Sequence, residues 1–297
     1  MLKVKNSLLI LLFIFISSAL LSGCSKKGPC LTCPDGQLKG EAFQKNEEIW
    51  KAHNNRVVQL FQEGKLQEAT TAAKETLNFA KKTFGPEHHR VATALNNLGE
   101  LYRVQNKHKE AEASYKKSLE IRKKALGKDH PDISLSLNNL ATLYVNQKKY
   151  LQAESLYKES LSLIENKLGK EHLNLQTPLT NLSDLYKMQG KYPEAETVIK
   201  RVVSIYEKAN KKDDPIYAKS LNDLATIYYF EGKYGHAESL FKQTLSLLEK
   251  RLGKNNPELA VVLENMGEVY KKIGNPTKAK SFFERAKGIR TINRLPS

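Results

Sequence analysis

The sequence predicts an all-α protein built from six stacked helical hairpins, and three observations carry that prediction. The stretch LNNLGELY at Leu95 returns as LNNLATLY at Leu137, LTNLSDLY at Leu179, LNDLATIY at Leu221 and LENMGEVY at Leu263, always 42 residues on. HNNRVVQL at His53 keeps the outline one step earlier. Within each copy the apolar residues recur at helical rather than strand spacing. Glycines and prolines punctuate the copies at fixed places. One hairpin cannot shelter its own apolar face but a stack can, so such a period marks a repeat array.

Taken in chain order, residues 1–23 stand apart. Lys3 and Lys5 precede an unbroken apolar run, LLILLFIFISSALL, of 14 residues from Leu8 to Leu21. A bilayer-spanning helix needs about 20. LSGC follows at residues 21–24. A basic start, a short apolar core and small residues before a cysteine resemble the lipobox of a bacterial lipoprotein signal peptide. The resemblance implies cleavage before Cys24, a diacylglyceryl group on its sulfur and a third acyl chain on the new N-terminus. An ordinary secretory signal or an uncleaved anchor would leave the cysteine unexplained. Several acyl chains hold permanently where one holds weakly, at ~0.8 kcal/mol per buried methylene. The localisation expected is the cell envelope, with Ser25 favouring the outer membrane, periplasmic side, over the inner in enteric-type bacteria.

Residues 24–43 read as the lipidated cysteine and a flexible linker, since Gly28, Pro29, Pro34, Gly36 and Gly40 interrupt any regular pattern. Cys30 and Cys33 form CLTC inside it. A redox site would place this motif at the start of a helix in a βαβ unit. A zinc site needs four ligands. Neither context is present; with Cys24 acylated these are the two thiols left in an oxidising compartment, which favours a local disulfide without a catalytic role.

Residues 44–297 form the array. Leu95, Leu98, Gly99 and Tyr102 fall at i, i+3, i+4 and i+7, one face of a first helix. A second helix follows, as in Tyr150 to Leu168, with Ala153, Leu156, Tyr157, Ser160, Leu161 and Ile164 inward. Between them lies a tight turn with Gly64, Gly190, Gly232 or Gly274, and Asn106 or Lys148 in the other copies. Gly127, Gly169 and Gly253 suit a left-handed helix stop. Pro131, Pro215 and Pro257 suit a first helical turn, where the missing N–H costs nothing. His88, His130 and His172 recur before first helices and are continued by Asp214 and Asn256, a helix-capping column. Ala69, Ala111, Ala153, Ala195, Ala237 and Ala279 form an invariant small column, faced by Gly99, Ala141, Ser183, Ala225 and Gly267.

These small and aromatic columns resemble the tetratricopeptide repeat, and the 42-residue unit with its LGKDHP-type connection resembles the kinesin light chain-like subclass. The resemblance covers residues 45–290. It implies a right-handed superhelical solenoid with first helices lining a concave groove. The first copy, with Arg56 and Leu60 at core positions, and the last, with Pro276, read as caps.

Two positions after each motif leucine stand Asn55, Asn97, Asn139, Asn181, Asp223 and Asn265. Asn is a mediocre helix former, so something offsets it. One reading has the amides line the groove and bond an extended peptide backbone without demanding a side chain, as asparagines at this place do in peptide-binding members of the family. The other has each bond the neighbouring hairpin. The two are compatible. Glu100, Thr142, Asp184, Thr226 and Glu268 make a second groove line. Met188, Tyr229 and Phe230 make either an apolar pocket or part of the core.

The chain carries a formal +16, much of it on second helices such as 115–126. That charge serves either an anionic lipid surface or ordinary solvation. No continuous basic track with stacking aromatics calls for nucleic acid. No phosphate loop, nucleophile elbow or paired carboxylates suggests catalysis, and no metal, cofactor or small-molecule substrate is expected. The function expected is a lipid-anchored envelope scaffold that binds a peptide or protein and supports assembly of an envelope complex. The alternative is a self-assembling structural lipoprotein.

Overall fold

Repetition at a helical period becomes helices wherever the apolar stripe finds a neighbour. A computed structural model describes residues 40–293. The leader over 1–23, Cys24 and the Cys30/Cys33 pair lie outside the described residues. Among those described there are twelve α-helices and no strand. They pair as hairpins: α1 (Glu41–Gln62) with α2 (Leu66–Phe84), α3 (His89–Val104) with α4 (His108–Leu126), and α5 (Ile133–Asn146) with α6 (Tyr150–Leu168). Then come α7 (Gln176–Met188) with α8 (Tyr192–Lys208), α9 (Pro215–Phe230) with α10 (Tyr234–Leu252), and α11 (Leu259–Ile273) with α12 (Pro276–Ile292). The helical body thus begins at Glu41, three residues before the boundary expected at 44.

The chain divides into two compact units, one ending at Leu163 and the other starting at Ile164. In the first, α2 packs on α3 and α4 on α5; in the second, α8 packs on α9 and α10 on α11. Within each unit a hairpin therefore buries its stripe against its own partner helix and against the neighbouring hairpin of that unit.

The alanine column explains how close the helices come. Ala69, Ala111, Ala153, Ala195 and Ala237 are 0% exposed and Ala279 is 4% exposed. The facing small column has a further partner that the alanines alone do not reveal. A Cβ placed on Gly99 would sit 2.6 Å from Cε1 of Tyr115, and one on Gly267 would sit 2.6 Å from Cε1 of Phe283. These glycines make room for a ring four residues beyond the alanine. Ser183 does meet the column, donating its hydroxyl to the Ala195 carbonyl at 3.3 Å.

The capping column is observed at all five places. Nδ1 of His88 accepts from the Arg90 N–H at 3.2 Å, Nδ1 of His130 from Asp132 at 3.2 Å and Nδ1 of His172 from Asn174 at 3.1 Å. The carboxylate of Asp214 accepts from Ile216 at 2.8 Å and the Asn256 carbonyl from Glu258 at 2.9 Å. Imidazole and carboxylate thus do one job, satisfying an N–H that the helix leaves open.

Two details differ from expectation. Gly127 takes φ 84° with ψ 156° and Gly253 φ 83° with ψ 162°. This is not the left-handed helical well but an extended positive-φ region that only glycine enters cheaply. Pro215 opens α9 as expected, whereas Pro131 and Pro257 sit in the turn two residues before their helices. Where the fourth connection lacks the glycine, α8 stops at Lys208 and Asn210 takes φ 54°.

Candidate functional site

The asparagine column sits on first helices. In the first unit it forms a ladder: Nδ2 of Asn97 donates to Oδ1 of Asn54 at 2.7 Å, and Nδ2 of Asn139 to Oδ1 of Asn96 at 3.0 Å. Asn55, on the first helix, is exposed. The acceptors Asn54 and Asn96 were not singled out by sequence reasoning, although the doubled Asn in NN, at residues 54–55 and 96–97, is their signal. Each bond uses one donor of an amide that has two donors and an acceptor. Bonding the neighbouring hairpin therefore leaves the amide able to take another partner.

The second unit replaces amides with charge. Asn181 and Asn265 are half-buried. Asp223 lies 2.8 Å from Nζ of Lys219 and 3.5 Å from Nζ of Lys187, which also holds Asp184 at 2.6 Å. Burial works to raise the Asp223 pKa, but Lys187 and Lys219 outweigh it and hold the carboxyl below the usual range. Burial likewise opposes the charge on Lys187, and Asp223 and Asp184 overcome it, raising its pKa. Asp184 and Asp223, predicted as separate groove groups, are thus bridged by one cation.

Glu100 is also committed. Arg103 grips it at 2.9 and 2.5 Å, and the Tyr115 hydroxyl donates to it at 2.8 Å. Burial raises the Tyr115 pKa well above its ordinary value, so the phenol stays a donor. At the equivalent place the hydroxyls of Thr142 and Tyr157 meet at 3.0 Å.

The apolar trio separates. Tyr229 is 9% exposed and belongs to the core, whereas Phe230 is 39% exposed and Met188 57%. A core role for Met188 is therefore corrected: its position, last in α7, carries it past the packed part of the hairpin. Tyr192 lies flat on Phe230, with centroids 5.2 Å apart and planes at 6°, and Tyr229 meets Phe230 edge-on at 5.6 Å.

A further repeated device was missed in the sequence. Tyr144 donates its hydroxyl to Glu112 at 3.1 Å, Tyr228 to Glu196 at 3.2 Å and Tyr270 to Glu238 at 2.7 Å. Each glutamate follows a column alanine and also binds a lysine one turn on, Lys116, Lys200 and Lys242. The glutamate joins a first helix to the second helix of the preceding hairpin. Burial works against the charge of Glu196, but Lys200 and Lys233 prevail and bring its pKa down to about 2.

Among the described residues no group of three or more His, Cys, Asp or Glu is placed to hold a metal ion, and no helix is long and apolar enough to cross a membrane. With the hairpins, their small columns and their capped connections in place, the family comparison is decisive. The tetratricopeptide repeat family model matches residues 49–124, 103–166, 132–208, 175–250 and 216–291. The chain belongs to the tetratricopeptide repeat family. Tetratricopeptide arrays are protein-interaction scaffolds, and the fold of this chain is one.

Solved structures agree on the fold. The chain is similar to BtubC (BKLC) from P. vanneervenii, at 22% identity and TM-score 0.70, covering 78% of this chain and 94% of that one. It is similar to a Podosopora anserina putative kinesin light chain with nearly identical TPR-like repeats, at 22% identity, TM-score 0.62 and coverage of 71% and 100%. PilW, a type IV pilus biogenesis factor, matches at 17% identity, TM-score 0.58 and coverage of 79% and 90%. No curated protein sequence matches the chain.

Proposed function

We propose that this tetratricopeptide protein is a lipid-anchored scaffold of the bacterial cell envelope that holds a peptide or protein segment on its first-helix face. The observation that carries the reading is the amide ladder: Asn97 and Asn139 are held in line by bonds to Asn54 and Asn96. Amides fixed in this way can bond a peptide backbone without choosing its side chains, and fixing them beforehand lowers the entropy cost of binding. Asn55 and Glu100 accompany the ladder in the first unit, and Asn181, Asp223 and Asn265, with Asp184 and Phe230, lie on first helices of the second unit. No catalytic residue, cofactor, nucleic acid or small-molecule substrate enters this reading.

The anchor rests on the leader and Cys24, and the outer membrane, periplasmic side, is the favoured place. Support of an envelope assembly is consistent with the likeness to PilW, itself a pilus biogenesis factor. Basic second helices add a secondary attraction to anionic lipid.

Photo-crosslinking in cells from Thr142 and Asn146, beside the ladder, tests the partner. One dominant crosslinked protein, lost when Asn97 and Asn139 are both alanine, supports the reading. Crosslinks only to further copies of the chain would turn it toward a self-assembling lipoprotein. Cys24→Ala should release the protein from the membrane fraction and abolish fatty-acid labelling.

A further inference from the structure

Among the described residues Leu151 is the most exposed large apolar side chain, at 81%. It stands second in α6, just past the tight turn of the third hairpin. The same place holds Gln67, Lys109, Pro193, Gly235 or Thr277 in the other copies, so the leucine belongs to this hairpin rather than to the repeat. Three residues earlier Lys148 takes φ 59°, where four copies place a glycine of positive φ. A lysine in that left-handed well is costlier than a glycine. The charge is kept against the preference of the backbone.

Three further lysines share this edge of the first unit. Lys107 and Lys109 flank His108 at the start of α4, and Lys149 immediately precedes α6. Tyr144 joins the two turns: its ring lies 5.3 Å from Nζ of Lys149, and its hydroxyl donates to Glu112, three residues past Lys109. Residues three apart share a helix face. Lys107, Lys109, Lys148 and Lys149 are exposed, and among the described residues none has a carboxylate oxygen within 4.0 Å. Glu112 is spent on Tyr144 and Lys116, which leaves the exposed Glu110 to oppose four lysines. Elsewhere the turn lysines are answered, Lys65 by Glu63 at 2.8 Å and, in the second unit, Lys233 by Glu196 and Glu231. An anionic bilayer complements the whole patch: its headgroups meet the ammonium groups and its acyl boundary takes the leucine. A purely ionic partner would account for the lysines and not for Leu151.

The chain between Cys24 and α1 is long enough to allow this contact. Residues 25–39 can span at most ~50 Å at ~3.3 Å each, whereas α1, with 22 residues, is ~33 Å long. A lipid on Cys24 therefore lets the far end of α1, and with it the tight-turn edge, reach the bilayer. We infer that Lys107, Lys109, Lys148, Lys149 and Leu151 form a docking surface for anionic lipid. It would lay the tight-turn edge of the first unit on the membrane. The inference rests on the proposed lipid anchor, and it names the surface that the anchored body turns toward the bilayer.

The test is co-sedimentation of the chain from residue 24 onward, carrying Cys24→Ala so that no acyl group contributes. The vesicles hold phosphatidylglycerol and phosphatidylethanolamine in equal amounts. The chain should bind them, more weakly as salt rises, and should not bind vesicles of phosphatidylcholine alone. Lys107→Asn, Lys109→Gln, Lys148→Gly and Lys149→Asn together should weaken binding roughly a hundredfold, since each well-placed lysine contributes about fivefold. Other copies carry these residues at the same places, so helical circular dichroism should stay unchanged. Leu151→Gln alone should weaken binding roughly fivefold and leave the salt dependence as it was. Removing equal charge from the connections, with Lys128→Gln, Lys170→Gln, Lys211→Gln and Lys254→Gln, should change binding less than about threefold. An equal loss in that control, unchanged binding of Leu151→Gln, or no binding up to ~1 mM accessible lipid overturns the inference. Tighter binding to soluble polyglutamate than to the vesicles, lost with the same four lysines, would reassign the patch to an acidic protein. The anchor reads out separately, by fatty-acid labelling of the wild-type chain in cells. Labelling without vesicle binding by the Cys24→Ala chain would remove the patch and keep the anchor, and the opposite pair of results would do the reverse.

Discussion

Nδ2 of Asn97 on α3 stands 2.7 Å from Oδ1 of Asn54 on α1, and Asn54 is 8% exposed. The amide proposed to meet a ligand is therefore the tie that sets one hairpin against the next. In the function proposed, binding and stacking would share one column; the stacking bond by itself offsets the cost of a mediocre helix former there.

Removing that tie should cost stability first. Asn97→Ala strands the buried Asn54 carbonyl, a loss of ~1–3 kcal/mol. The urea midpoint should fall while the slope of the transition stays the same. Asn97→Asp should be worse, because it sets oxygen against oxygen. An unchanged midpoint for Asn97→Ala would show that the bond contributes nothing net.

Gly99→Ala should destabilise even though alanine is the better helix former. Its methyl would meet the Tyr115 ring at 2.6 Å, and that ring is 0% exposed and tied to Glu100. Overpacking costs ~1–3 kcal/mol, against ~1 kcal/mol gained in backbone propensity. Adding Tyr115→Ile, the residue type of Ile199 at the equivalent place, should restore part of the melting temperature. Ala153→Leu, at a position 0% exposed, should lower the melt by the same mechanism without that remedy.

Asp223→Ala should cost more than Asp184→Ala. Asp223 answers both Lys187 and Lys219, and its side chain is 14% exposed against 48% for Asp184. Breaking a pair this sheltered leaves Lys187 poorly compensated, at ~2–4 kcal/mol. Asp223→Asn combined with Lys187→Met should lose less than Asp223→Ala alone. A double-mutant cycle by chemical denaturation measures the coupling.

Acid should loosen the first unit. Burial depresses the pKa of His88, and with it His89, from 6.5 to about 4. The folded state favours neutral rings, so stability is intact above pH 6.5 and is lost as pH falls toward 4, where the unfolded chain holds the extra protons. The rings are half-buried and solvent screens them, so each contributes on the order of 1 kcal/mol. His88→Asn keeps the cap, as Asn256 does, and should flatten the decline of the urea midpoint across that window.

The hairpins, their ends and their caps were legible in the sequence because local rules decide them. A helix stop at Gly127 or an imidazole over the Arg90 N–H needs only residues a few places away. The ladder was half legible. Asn97 and Asn139 stood out by period, but their acceptors Asn54 and Asn96 lie 43 residues back in the chain. Which of two adjacent asparagines turns toward the neighbour depends on how the hairpins meet.

By itself the sequence determined an all-α array of six hairpins, since a 42-residue period of apolar faces and turn residues admits no other compact answer. It also determined that the array carries a column of amides along its first helices. Only the tertiary structure decided which polar groups are already spent. Glu100 is held by Arg103 and Tyr115, Asp184 and Asp223 share Lys187, and Tyr229 is covered while Met188 and Phe230 stand exposed. The reason is physical: periodicity sets the direction in which a side chain leaves its helix, but what it meets there belongs to another hairpin.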